Sequence, residues 1–148
     1  TQRKINAMYK QILVAIDLSE NSELVIRRAS AVAEKFGAQV RLLHVVEYVP
    51  IEPMGEALMP AMEIERDLVA NATRNLEKLA DRTGLADAPR SVEAGSIKSE
   101  IVRIAAENSA DLVVLGSKER HGLAILINAT EDTILHSASC DVLAVRLP

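Results

Sequence analysis

Few side chains in this 148-residue chain are placed for covalent or metal chemistry. Cys140 is the single cysteine, so an intramolecular disulfide and a cysteine-based zinc site are both ruled out. Its neighbours are Ser139 and Asp141, and a reactive thiolate needs positive surroundings, so Cys140 is read as a packing residue. The histidines, His44, His121 and His136, lie in separate segments without the i, i+4 spacing of a metal pair. His44 interrupts an apolar run and reads as a hydrogen-bonded core residue. His136 reads as an exposed helical one. Only His121 is expected in a loop where ligands bind. Two polar stretches remain, the turn over residues 17–22 that begins with Asp17, and the loop Gly116-Ser117-Lys118-Glu119-Arg120-His121. The second is a basic, anion-seeking loop with one acid inserted into it.

The elements that must carry these loops are legible from apolar patterning. Residues 12–16 form a short, solidly apolar run, the mark of a strand buried on both faces. Val25, Ala29, Val32, Ala33 and Phe36 recur at helical spacing, and Gly37 closes that helix. Residues 40–46 read as a second strand. Residues 47–63 hold Pro50, Pro53, Pro60, Gly55 and three methionines, and read as a long loop with room for one helical turn. Leu68, Ala72, Leu76, Leu79 and Ala80 mark a second helix that ends near Gly84. A short strand over residues 90–93 follows, then a helix with Ile97, Ile101, Ile104 and Ala105 turned inward. Residues 112–115 form another buried strand, a last helix runs through Ile134 and Ala138, and residues 142–145 make the final strand. This strict alternation implies an α/β fold, a parallel sheet with helices on both faces. In such sheets ligands bind beyond the carboxyl ends of the strands, where the strand order reverses.

Several functions are excluded. The first turn contains no glycine, so neither a dinucleotide fingerprint nor a P-loop is present. A phosphoacceptor domain would need a carboxylate pair there and a lysine after the last strand, and that reading is weak. A net charge of −4 and aromatics at 2% with no Trp argue against nucleic-acid binding and against base stacking. No apolar run approaches the roughly 18 residues of a membrane span. A lone cysteine fits a reducing, cytoplasmic setting. Residues 1–7 are polar and aperiodic and are set apart as an N-terminal extension, leaving residues 8–148 as one domain.

Three stretches together are distinctive: Tyr9-Lys10-Gln11-Ile12-Leu13-Val14-Ala15-Ile16-Asp17 at the start, residues 112–130, and Cys140-Asp141-Val142-Leu143-Ala144-Val145-Arg146 at the end. In these the chain resembles the universal stress protein family from Met8 onward. The resemblance implies an adenine-nucleotide alpha hydrolase-like fold, a five-stranded parallel sheet in the order 3-2-1-4-5. It also implies a homodimer through the last strand (Val142, Leu143, Ala144, Val145). Physically, pairing would cover an exposed apolar edge, although Arg146 and Pro148 offer another way to blunt it.

Many members of the family bind adenine nucleotides through a loop of the form Gly-x-x-Gly, eight or nine residues, then Gly-Ser/Thr. Its glycines let backbone N–H groups approach phosphate oxygens. Gly116 matches the first glycine, but position 119 is glutamate, and the final pair falls on Asn128-Ala129 or on Ala129-Thr130. A carboxylate at about 5 Å from a phosphate costs roughly 3 kcal/mol per charge pair at an effective dielectric near 20. Lys118, Arg120 and His121 offset part of it, and Ser117 and Thr130 belong to the same implied binding loop. The resemblance therefore places the chain nearer the family branch that lacks the glycine motif and does not bind ATP, or else implies binding at the level of AMP or adenosine, with ATP held weakly or not at all and no structural metal. The nucleoside half is better kept. Asp17 matches the acid near ribose or metal, though it reads equally as a turn former. Ala15 and Ile16 match the adenine pocket, Val45 and Val46 the strand edge facing the base, though the valines read equally as core. Gly95 matches the turn near the ribose. The resemblance implies a stress regulator or protector without strong turnover. Two alternatives stand beside it: a nucleotide sensor reporting to a partner protein, and a slow phosphohydrolase using Asp17 or His121.

Overall fold

The computed structural model describes residues 8–47, 58–118, 134 and 136–148. Strands β1 (Gln11–Ala15), β2 (Gln39–Val46), β3 (Arg90–Ala94), β4 (Leu112–Ser117) and β5 (Asp141–Arg146) alternate with helices α1 (Ser22–Phe36), α2 (Leu58–Arg82) and α3 (Ile97–Glu107). They form one five-stranded sheet in the order β3-β2-β1-β4-β5, with every neighbouring pair parallel. Both the order and the parallel sense agree with expectation.

The alternation of β1 explains why its sequence is solidly apolar. Ile12 and Val14 face one layer, where Val25, Ile26, Ala29 and Ala33 of α1 and Leu76, Leu79 and Ala80 of α2 pack against them. Leu13 faces the opposite layer with Leu43, Val45, Ile101, Ile104, Ala105 and Ile134. A strand with helices on both sides has no solvent face, so every position from Ile12 to Ala15 is apolar. Gly37 ends α1 in the left-handed conformation at φ 67°, as the pattern predicts.

The expected loop over residues 47–63 needs correction. Helix α2 begins at Leu58, so residues 58–63 are helical and only residues 48–57 fall outside the description. Pro60 sits in the first turn, where a backbone N–H has no intrahelical partner, so the ring costs the helix nothing. Leu68 was expected to face the core and is 41% exposed instead. Its neighbour Val69 is half-buried. Of the last expected helix, Ile134, His136 and Ser137 are described as helical, and the remainder lies outside the described residues. His136 is exposed, as expected.

Asp111, just before β4, ties the two central strands together. Its Oδ2 accepts the backbone N–H groups of Lys10 at 2.6 Å and Gln11 at 2.8 Å. Its own N–H donates to the Gln11 carbonyl at 2.8 Å. Tyr9 extends the tie to the edge strand: its hydroxyl donates to Asp141 Oδ2 at 2.7 Å, and its ring meets Phe36 edge-on at 5.1 Å. The bond to Asp141, with some burial, raises the phenol pKa, so Tyr9 stays a donor.

Candidate functional site

Strand order reverses between β1 and β4, and a cavity of about 310 Å³ opens at the carboxyl ends of these strands. That volume stands at the lower end of the roughly 300–1,000 Å³ typical of small-molecule sites. Its walls are mostly aliphatic: Ala15, Ile16, Val25, Leu43, Val45, Ile97, Ile101, Leu115, Ile134 and Leu147. Polar lining comes from Asp17, Asn21, Ser22 and His44, and Gly116 forms part of the β4 side. Among the described lining residues there is one carboxylate and no lysine or arginine.

Asp17 is held in place by its own turn. Its Oδ1 accepts the Ser19 N–H at 2.9 Å and the Ser22 hydroxyl at 3.1 Å. Partial burial alone would raise its pKa, but the bonds from Ser19 and Ser22 together outweigh that, so the carboxyl titrates below the ordinary aspartate range. Ser22 is the buried polar residue behind this arrangement, at 1% exposure. Leu18, between Asp17 and Ser19, adopts φ 61°, a left-handed conformation uncommon for leucine. The bonds on either side hold the chain there.

A folded-state pKa below the unfolded value means that Asp17 contributes stability above the unfolded value of about 3.9 and loses it as pH falls through the folded pKa. Ser22→Ala removes one of the bonds that depress it. The expected result is an Asp17 midpoint that moves up toward the ordinary value, read by carboxyl carbon chemical shifts during an acid titration. An unmoved midpoint would show that Ser19 alone sets the shift.

His44 belongs to this site, where the sequence pointed only to a core role and singled out His121 instead. The hydrogen bond expected of it is present, between Nδ1 and the Ile16 carbonyl at 2.8 Å. A carbonyl can only accept, so Nδ1 carries the proton and, in the neutral ring, Nε2 is left as an acceptor. The bond also pins the end of β1 against β2 beside Asp17.

Of the residues singled out from the sequence, the structure brings together Ala15, Ile16, Asp17, Val45 and Gly116 around the cavity. Val46, the last residue of β2, and Gly95, which follows β3, are outside the described lining, and the Gly95 N–H donates to the Val46 carbonyl at 3.0 Å. Gly95 has φ 148°, and a β-carbon there would come 3.1 Å from Glu100 Oε1. Ser117 and Lys118 lie just past Gly116, outside the described lining. Glu119, Arg120, His121, Asn128, Ala129 and Thr130 lie outside the described residues.

Gly116 is glycine for a different reason from the one anticipated. It does not take a positive φ. A β-carbon on it would lie 2.8 Å from Leu147 Cδ1 and 3.2 Å from Val25 Cγ2. The position is closed by packing rather than by backbone conformation. Leu147, Asn21 and Ile134 were missed because they reach the cavity only through the assembled strand order. Cys140 is half-buried against the α3-side core. Burial first, then the charges of Asp141 and Asp111, push its thiol pKa up, which suits packing rather than reaction. Among the described residues, no cluster of His, Cys, Asp or Glu could hold a metal ion, and no helix is long and apolar enough to cross a membrane.

The sheet order and the cavity at its switch point define a doubly wound α/β domain. The universal stress protein family model matches residues 8–146, and the chain belongs to that family. It is 36% identical over 138 residues to universal stress protein A homolog 1 of Coxiella burnetii, covering 93% of this chain and 96% of the relative. Homolog 2 of the same organism is 31% identical over 140 residues, covering 94% and 96%. Among solved structures, the universal stress protein UspA from Lactobacillus plantarum superposes with a TM-score of 0.70 at 24% identity, over 93% of this chain and 98% of that one. A universal stress protein in complex with cAMP superposes with a TM-score of 0.63 at 20% identity, over 93% and 96%.

Proposed function

We propose that this chain acts as a dimeric, cytoplasmic stress-response regulator or protector without appreciable turnover. Its cavity takes adenine at the level of adenosine or AMP and holds ATP weakly or not at all. The observation that carries this reading is the cavity itself. It has room for a nucleoside, aliphatic walls, and a described lining with one carboxylate and no lysine or arginine. The base packs between Ala15, Ile16 and Val45, and ribose hydroxyls donate to Asp17, whose carboxylate is ionised and oriented before any ligand arrives. A triphosphate would bring several negative charges toward Asp17 and, in the loop beyond Lys118, toward Glu119, with Arg120 and His121 as partial compensation. The structural relative solved with cAMP carries an adenine nucleotide with a single phosphate, in keeping with this ligand class.

The dimer is proposed through β5, the terminal strand of the sheet, whose Leu143 and Ala144 are exposed while Val142 is half-buried and Val145 is buried. A second reading, a sensor that reports bound nucleotide to a partner protein, is favoured by the exposed Met59, Met62, Ile64 and Leu68 on the first half of α2.

Calorimetry with magnesium and ATP tests the ligand reading. Glu119→Gly combined with Asn128→Gly is expected to tighten ATP binding by roughly tenfold or more, since removing one like-charge pair releases a few kcal/mol before screening. Micromolar ATP affinity in the unaltered chain, or no gain in the double variant, would contradict it.

A further inference from the structure

The residue that follows β5, Leu147, lines the cavity beside Gly116. Its N–H donates to the Ser117 carbonyl at 2.8 Å, and its Cδ1 lies 2.8 Å from where a β-carbon on Gly116 would stand. Val25 Cγ2 approaches the same point at 3.2 Å. The β4 end of the cavity, next to the first residue of the phosphate-type loop, is thus faced with hydrocarbon from two directions. The main-chain bond to Ser117 sets Leu147 in register with the end of β4, so the side chain is delivered to Gly116 by the sheet itself. Gly116 has no side chain because Leu147 and Val25 occupy its space.

We propose that Leu147 is the specificity-determining residue of this cavity, selecting an uncharged, nucleoside-sized ligand over its phosphorylated counterpart by filling the space beside Gly116 with an apolar side chain. This rests on the adenine reading above and sharpens it from adenosine or AMP to adenosine first. A phosphate monoester entering that end would lose water against the methyl groups of Leu147 and Val25, and a charged group loses far more on leaving water than a neutral one. Asp17 adds repulsion from the β1 side. A neutral hydroxyl at the same place loses far less.

The test is paired calorimetry with adenosine and AMP on the unaltered chain, Leu147→Ala and Leu147→Lys. The unaltered chain is expected to prefer adenosine by roughly tenfold or more. Leu147→Ala opens the end to water and is expected to narrow that ratio about fivefold or more, while Leu147→Lys supplies a cation and reverses the preference. Should one variant fail to fold, as judged by circular dichroism, the other still reads the ratio. If the unaltered chain binds adenosine and the ratio is the same in the folded variants, the role of Leu147 is overturned while the adenine reading stands. If the unaltered chain binds neither ligand, the adenine reading itself fails and the inference falls with it.

Discussion

Replacing Asp111 with alanine is expected to lower the unfolding free energy by about 2–4 kcal/mol. Its carboxylate accepts two backbone N–H groups, from Lys10 and Gln11, at the point where the chain enters β1. Bonds to an ionised acceptor are worth more than neutral ones, and the partners here are main-chain donors with no alternative strand to pair with at that position. The Asp111 N–H still reaches the Gln11 carbonyl in the variant, so the strands keep one link. Asp111→Asn retains an acceptor oxygen and should recover part of the loss. Urea denaturation with an unchanged slope checks both. A loss well under about 1 kcal/mol for the alanine variant would mean that water substitutes freely for the carboxylate. Because β1 carries Ala15 to the cavity and leads into Asp17, a loosened entry should also weaken ligand binding in proportion to the fraction unfolded.

The second large effect is on assembly. β5 is hydrogen-bonded to β4 along its whole length on one side, from Asp141 against Leu112 to Arg146 against Ser117. Among the described residues it is the end strand of the sheet, with Leu143 and Ala144 at the middle of the strand exposed. If two copies pair antiparallel about the strand midpoint, the two-fold axis passes close to Leu143, and each substituted side chain meets its twin. Leu143→Arg then places like charges together at the centre of the interface, and a dimer constant weaker by on the order of a hundredfold or more is expected. Light scattering across a dilution series reads this, with circular dichroism confirming that the monomer stays folded. An unaltered chain that is monomeric at high concentration, or a variant that stays dimeric, would contradict the β5 interface.

What could be read in the sequence tracks what is dictated locally. Residues 12–14 and 112–115 are apolar without interruption because helices cover both faces of the sheet, and that pattern alone led to the parallel α/β class. Gly37 announced a helix end because only its left-handed backbone demanded it. The start of α2 was hidden by Pro60 and its flanking methionines, which look like loop residues but sit where a helix tolerates them. The position of the cavity followed from topology, and Asp17, Ala15, Ile16, Val45 and Gly116 followed from the resemblance to the family. His44 was assigned its hydrogen bond but not its place at the cavity, because nothing in the run from Leu42 to Val46 says which end of the strand meets Ile16. Leu147 carries no local signal at all. It matters only because β5 lies beside β4 and delivers it to Gly116.

The central claim is that an adenine nucleoside occupies the cavity between the carboxyl ends of β1 and β4. The direct measurement is a crystal structure of the protein grown with adenosine. The account predicts the base between Ala15, Ile16 and Val45, with the ribose hydroxyls on Asp17 and the 5′-hydroxyl turned toward Gly116 and Leu147. Adenosine bound elsewhere, or a cavity left empty at saturating adenosine, would contradict it.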